Sequence, residues 1–211
     1  QEIIDTICAG INTNTRLISF TEVSNVTGIT IPTRELIQAI RAKGRELRLA
    51  RPIHVHVDGA QSWGSRNLDL KALDCDSFAA SSHKWFMGPF ETGILFVKEG
   101  KATDFTINNY GYTGDIEIPD WNDLPKDASR FELLGQRDDA NLYALLLTSD
   151  IHKRINTNER GQPDPSRIEQ RVASLATALI ARLKRSTLIR AEFATPEASD
   201  VSHGVVVFQV R

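Results

Sequence analysis

Cysteine is scarce in this 211-residue chain. There are only two, Cys8 and Cys75, so no disulfide framework holds the fold together. That usage fits a reducing compartment, and a cytoplasmic location is expected. Long hydrophobic runs are also missing: no stretch approaches the ~18 residues of a membrane span, and no signal-peptide pattern is present. An excess of one charge is absent as well, since 25 Lys and Arg stand against 27 Asp and Glu, a formal net charge of −2. Without a basic surface or a block of like charge, neither nucleic acid nor membrane is expected as a partner. Internal repeats and low-complexity tracts are lacking too. What remains is an ordinary globular composition, 41% hydrophobic and 25% charged. The length suits one substantial domain, or one domain and part of another. The chain opens inside an apolar-periodic segment, QEIIDTICAGI, with no cap before it, and stops in VVVFQVR, within a predicted strand. A fragment of a longer protein is therefore expected.

The first two thirds alternate strand and helix. Strands are predicted over 16–23, 53–60, 76–82 and 91–100. A helix is predicted over 33–44, opened by Pro32 and Thr33 and stopped by Gly44, with a short helical piece over 70–74. This alternation implies an α/β fold with a mostly parallel sheet and helices on both faces, whose ligands bind at the carboxyl ends of the strands. Residues 101–135 break the rhythm with Gly111, Gly114, Pro119, Pro125 and the aromatics Phe105, Tyr110, Tyr112 and Trp121. They read as a functional or subunit-contact loop. Helices follow over 141–155 and 165–185, the second with apolar residues at 168, 172, 175, 176, 179, 180 and 183. LIRAEFAT and HGVVVFQVR look like strands of an incomplete second unit. The expected division is 1–163, part of a large domain, and 164–211, a connecting helix and the start of a small C-terminal α+β domain.

Two strand ends carry chemistry. Asp58 closes one predicted strand, Gln61 lies three residues on in DGAQ, and Lys84 follows the next sheet strand in SSHKW. If the strands pair, an acid, an amide and an amine face one crevice. That set suits pyridoxal phosphate, which needs a lysine for a Schiff base and a carboxylate beside its pyridine nitrogen. The negative charge keeps that nitrogen protonated, so the ring can accept electrons. Gln61 has donors for the ring hydroxyl, and Ser81 and Ser82 have hydroxyls for the phosphate.

HVDGAQ followed by SSHKWFMGPFETGILFV resembles the class V aminotransferase family of pyridoxal-phosphate enzymes, which includes cysteine desulfurases, selenocysteine lyases, isopenicillin N epimerases and serine–glyoxylate-type transaminases. The stretch ISFTEVSNVTGITIPTRELIQAIRAKG resembles the strand, turn and helix that precede the DGAQ strand in that family. RFELLGQRDDANLYAL resembles its later Gly-Thr segment, with Gln136 at the Thr position, a departure that changes the reach toward a neighbouring subunit's phosphate. The resemblance implies the fold-type-I fold of PLP-dependent transferases. It also implies Lys84 as Schiff-base lysine and proton shuttle, and Asp58 as partner of the pyridine nitrogen. Gln61 and Asn25 would lie near the ring hydroxyl, and Ser81 and His83 would contact the phosphate. The implied substrate is a small-molecule amino acid, the implied assembly a homodimer. GQRDD tilts the reading toward the epimerase-like and cysteine desulfurase- or lyase-like branch over a class V transaminase. A non-catalytic or inactive fragment is the other alternative.

A competing pattern lies in HVHVDG, where His54, His56 and Asp58 share one strand face in a spacing that zinc hydrolases use. The last place of that signature is Gly59 rather than His, so no metal site is assigned, and the two imidazoles are expected to bond backbone or side chains. Other plain readings compete as well. Asn25 can cap a turn before Gly28, and Asn25-Val26-Thr27 forms a chance glycosylation triplet. Arg137, Asp138 and Asp139 suit a helix start. Trp85, Phe86 and Met87 suit packing behind the lysine. Cys8 and Cys75 suit small apolar packing.

Overall fold

The computed structural model describes residues 1–107, 125–132, 138–198 and 201–211. Its sheet elements are β1 (Leu17–Thr21), β2 (His54–Asp58), β3 (Ser77–Ser81) and β4 (Gly93–Val97). Helices α1 (Glu2–Ala9), α2 (Thr33–Glu46) and α3 (Leu70–Leu73) are interleaved with them. Helices α4 (Asp139–Ile155) and α5 (Arg167–Arg185) follow, and a small pair, β5 (Ala191–Phe193) and β6 (Phe208–Val210), ends the chain.

The strand order is β1-β2-β3-β4. β1, β2 and β3 run parallel, and β4 turns back antiparallel on β3. The period of two in HVHVD sorts the faces of β2. Val55 and Val57 are fully buried, while His54 and His56 on the other side are half-buried. α2 answers with Leu36, Ile37 and Ile40, all fully buried and spaced along one helical stripe. Together with Ile53, Cys75 and Phe78 they form the core, which Ile4 and Ile7 of α1 and Leu70 of α3 flank. Each such side chain contributes roughly 1.5–3 kcal/mol by leaving water. One ion pair sits beside this core. Arg41 of α2 reaches Asp76 at 2.6 Å, and Asp76 also accepts the Val55 amide at 2.8 Å, which pins the helix to the start of β3.

Boundaries differ from the sequence expectation in instructive ways. Gly44 does not stop α2, which runs on to Glu46. A Cβ there would meet only Leu49 at ordinary contact distance, so nothing forces the chain to turn at this glycine. The left-handed residue is Arg48, at φ 51°. The strands are shorter than predicted, because pairing ends where residues 22, 59 and 82 enter turns. Within the 101–135 excursion, Ala102–Asp104 and Ala128–Phe131 form short 3-10 turns, and Phe105 meets Phe131 edge-on at 5.6 Å. Tyr110, Gly111, Tyr112, Gly114, Pro119 and Trp121 lie outside the described residues, as do Gln136 and Arg137. Asp138 caps α4, its carboxylate accepting the amides of Ala140 and Asn141.

The C-terminal piece forms its own two-stranded sheet and returns to the segment between β1 and α2. β5 and β6 pair antiparallel. The segment after residue 200 bridges back at Ser202 to Ile29, and the Thr30 amide donates to the Val201 carbonyl at 2.9 Å.

Candidate active site

The parallel register places Thr21, Asp58 and Ala79 in one row across β1, β2 and β3, at the carboxyl ends of the strands. Ser81 is two residues beyond Ala79 on the same face of β3. Asp58 is exposed, and its Oδ1 accepts the Ala60 amide at 2.8 Å. The glycine after it is required: the Phe78 ring lies so close that a Cβ on Gly59 would sit 1.8 Å from its Cζ. The chain then coils through residues 59–66, where Ser62 and Trp63 amides return to the Gly59 carbonyl at 3.0 and 2.9 Å.

A direct bond joins this turn to the lysine turn. Gln61 Oε1 accepts the Trp85 indole N–H at 3.0 Å. Lys84, one residue earlier, is exposed and makes no ion pair among the described residues. Phe86 is buried and sandwiched, stacking on Trp63 at 4.0 Å and on His152 at 4.3 Å, while His152 also bonds the Phe86 carbonyl at 2.9 Å. The packing role expected of Trp85 and Phe86 therefore holds. Met87 departs from it: this residue is 72% exposed and sits at φ 55°, pushed outward by the tight turn.

The other candidates separate. Ser82 is fully buried, and its hydroxyl is taken up by the Pro89 and Thr92 carbonyls and the Thr92 hydroxyl, so it fastens the 82–92 loop instead of facing a ligand. Ser81 is half-buried, and no hydroxyl bond of its own occurs among the described residues. His83 is exposed and stacks on Phe90 at 5.3 Å. Asn25 is exposed; the turn before Gly28 is capped by Ser24, whose hydroxyl accepts the Val26 and Thr27 amides, so the cap read for Asn25 belongs to its neighbour.

His54 and His56 find side-chain partners. His54 Nε2 and His56 Nδ1 meet the Ser77 hydroxyl at 2.9 and 2.8 Å, and His54 Nδ1 faces Asp104 at 3.3 Å. Burial and the neighbouring His54 push the His56 pKa down, while Asp58 pulls it up. Among the described residues, no group of three or more His, Cys, Asp or Glu side chains is arranged to hold a metal.

One network carried no motif in the sequence. Glu22, just past β1, is 2% exposed and pairs with Arg66 at 2.9 Å. Arg66 also reaches Glu169 of α5 at 3.3 Å, and buried His203 bonds the Ser65 carbonyl at 3.1 Å. A glutamate directly before the buried Val23 was the available signal, because an acid is almost never fully buried without a partner.

A mostly parallel sheet with a lysine turn, an acid and an amide gathered at its carboxyl edge defines an α/β protein, and in such sheets ligands bind outside the carboxyl ends of the strands. The chain belongs to the class-V aminotransferase family, whose profile matches residues 2–210. Isopenicillin N epimerase of Streptomyces clavuligerus is 28% identical over 99% of this chain and 50% of its own length. A cysteine desulfurase of Salmonella newport is 40% identical over 46% of this chain and 21% of its own. The solved structure of a C-DES variant, with glycine covalently linked to its PLP cofactor, superposes with a TM-score of 0.76 at 23% identity, over 98% of this chain and 50% of that one. The fold is thus the fold-type-I α/β fold, and the chain spans about half the length of the epimerase it matches.

Proposed function

We propose that this chain carries the pyridoxal-phosphate site of a class-V enzyme acting on a small amino acid. The single observation behind the reading is the meeting of two turns, joined by the Gln61–Trp85 bond, with Asp58 and Lys84 both open at the same sheet edge. The donor set fits the group. Lys84 is an amine without an ion pair among the described residues, and Asp58 keeps one oxygen without a hydrogen bond there. Gln61 uses its oxygen on Trp85, which leaves its amide N–H groups for an acceptor.

When bound, pyridoxal phosphate supplies an electron sink for charge developing on the amino acid's alpha carbon. The residues serve it as follows. Lys84 Nζ would be the covalent anchor and, as a free amine, the base for the alpha proton. Asp58 would favour a proton on the pyridine nitrogen by its negative charge. Gln61 and Asn25 stand for the ring hydroxyl, Ser81 and His83 for the phosphate. Division into 1–163 and 164–211, a homodimer and a cytoplasmic location complete the proposal. The epimerase-like or desulfurase-like branch is preferred because those relatives share the chain's sequence over long stretches. A class V transaminase remains the second reading within the same family.

Titration of the protein with pyridoxal phosphate tests this. A visible absorbance band is expected in wild type, abolished in Lys84→Ala and weakened in Asp58→Asn. Wild-type protein without a band sinks the reading.

A further inference from the structure

We infer that Glu22 and Arg66 form a positioning pair for the turn that carries Asp58 and Gln61. As far as the cofactor is concerned, the inference rests on the reading above.

The turn is gripped at both ends. At its start, the Glu22 amide donates to the Asp58 carbonyl at 3.0 Å, and the Gly59 amide donates to the Ala79 carbonyl at 2.8 Å. At its end, the Arg66 guanidinium donates from Nη1 to Glu22 Oε1 at 2.9 Å and from Nε to Glu169 Oε1 at 3.3 Å. The other Glu169 oxygen accepts the Asn67 amide at 3.2 Å. Glu22 therefore holds both ends of one short turn, the first through its backbone and the second through its side chain. Gln61 lies between them, fixed from the far side by Trp85.

Core packing does not account for this carboxylate. Its Oε2 is buried without a hydrogen-bond partner among the described residues, so its counter-charge comes from Arg66. Burial pushes the Glu22 carboxyl up, Arg66 and then the Ser62 hydroxyl pull it down, and the Glu169 charge adds a smaller push up. A buried pair of this kind adds little stability over an apolar substitute of the same volume. What it adds is a fixed distance between the end of β1 and residue 66. The same guanidinium extends the grip to α5, and the His203–Ser65 bond extends it to the C-terminal segment. The cofactor-facing turn is thus tied to the part of the chain that follows residue 164.

The test uses Glu22→Gln, which keeps the volume and removes the charge. Amide hydrogen exchange is measured in cofactor-free protein, and pyridoxal phosphate affinity is read from the absorbance band. Exchange at residues 60–66 is expected to rise about tenfold or more, since hydrogen bonds to charged groups are worth that much, with α2 amides unchanged. Affinity is expected to fall about tenfold. Glu169→Gln, at a half-exposed carboxylate, is expected to show a smaller change in the same amides, and it serves alone if Glu22→Gln does not fold. Lys84→Ala is expected to lose the band while keeping wild-type exchange at 60–66. Unchanged exchange at 60–66, or a rise shared equally by α2 and β1, overturns the positioning role. Wild-type protein that takes up no cofactor overturns the cofactor reading instead, and the exchange arm then decides the positioning role by itself.

Discussion

Cys75 and Cys8 carry the same thiol in different surroundings, and the difference is measurable. Cys75 lies fully buried in the core cluster, where burial pushes its pKa up to about 11. Cys8 is half-buried on α1, its pKa raised by burial and by Asp5, with Lys43 opposing. Since the thiolate is the reactive form, a disulfide reagent at pH 8 is expected to label Cys8 slowly and to leave Cys75 untouched until the protein is denatured. Two fast equivalents in the native protein would contradict the packing described here. The apolar role of both residues was readable from their neighbours in the chain. The places of Asp58, at the end of β2, and Lys84, three residues past the end of β3, were readable too, because glycine- or serine-rich turn residues mark both strand ends. Ser82 and Ser24 were not readable in the same way. A hydroxyl's partner depends on which carbonyls the loop folds toward it, and nothing in S-S-H-K says that Ser82 turns inward while Ser81 stays on the strand face.

At the scale of elements, the 82–92 loop is the part that most directly sets Lys84 in space. It carries Met87 at φ 55° and Glu91 at φ 62°, conformations that disfavour side chains. The buried Ser82 hydroxyl holds it against that strain through Pro89 and Thr92, helped by the Gly88 amide on the Ser82 carbonyl at 2.8 Å. Ser82→Ala removes the hydroxyl's bonds while the Pro89 carbonyl keeps the Thr92 hydroxyl and the Thr92 carbonyl keeps the Ser82 amide, so a loss of about 1–2 kcal/mol is expected in urea denaturation. Ser81→Ala is expected to stay within about 0.5 kcal/mol, since that hydroxyl makes no hydrogen bond among the described residues. Equal costs for the two would show that the loop is held some other way. The types of the described sheet strands and long helices were legible, because β2 alternates with period two and α2 with period 3.6. Their ends were not. Gly44 looked like a stop, yet a helix ends where its tertiary contacts and the left-handed Arg48 allow.

For the whole molecule, the C-terminal segment is tied to turns beside the main sheet by polar bonds, Thr30 to Val201 and His203 to Ser65, and the buried imidazole among them makes stability depend on pH. His203 is 6% exposed, and burial together with the Arg66 charge pushes its pKa down, against weaker pulls from Glu169 and the Ser65 carbonyl. His56 is shifted the same way. For both, the unfolded chain binds the proton more readily than the folded one. Their stabilising share is therefore fully present above the unfolded value of about 6.5, and it is lost as pH falls from there through the lower folded values. Glu22 acts in the opposite sense. Its raised pKa gives a share present below the ordinary carboxylate value and lost as pH rises through the folded one. Acidification from pH 7.5 to 5.5 lies in the window where the histidines begin to charge, so the melting temperature is expected to fall across it. His203→Gln removes one of the two histidines with a lowered pKa and keeps a donor for the Ser65 carbonyl. The fall in melting temperature is thus expected to shrink in that variant, and Ser65→Ala, which keeps the carbonyl and the imidazole, is expected to fall as wild type does. An identical drop in wild type and His203→Gln would show that the buried imidazole does not couple the C-terminal segment to protonation.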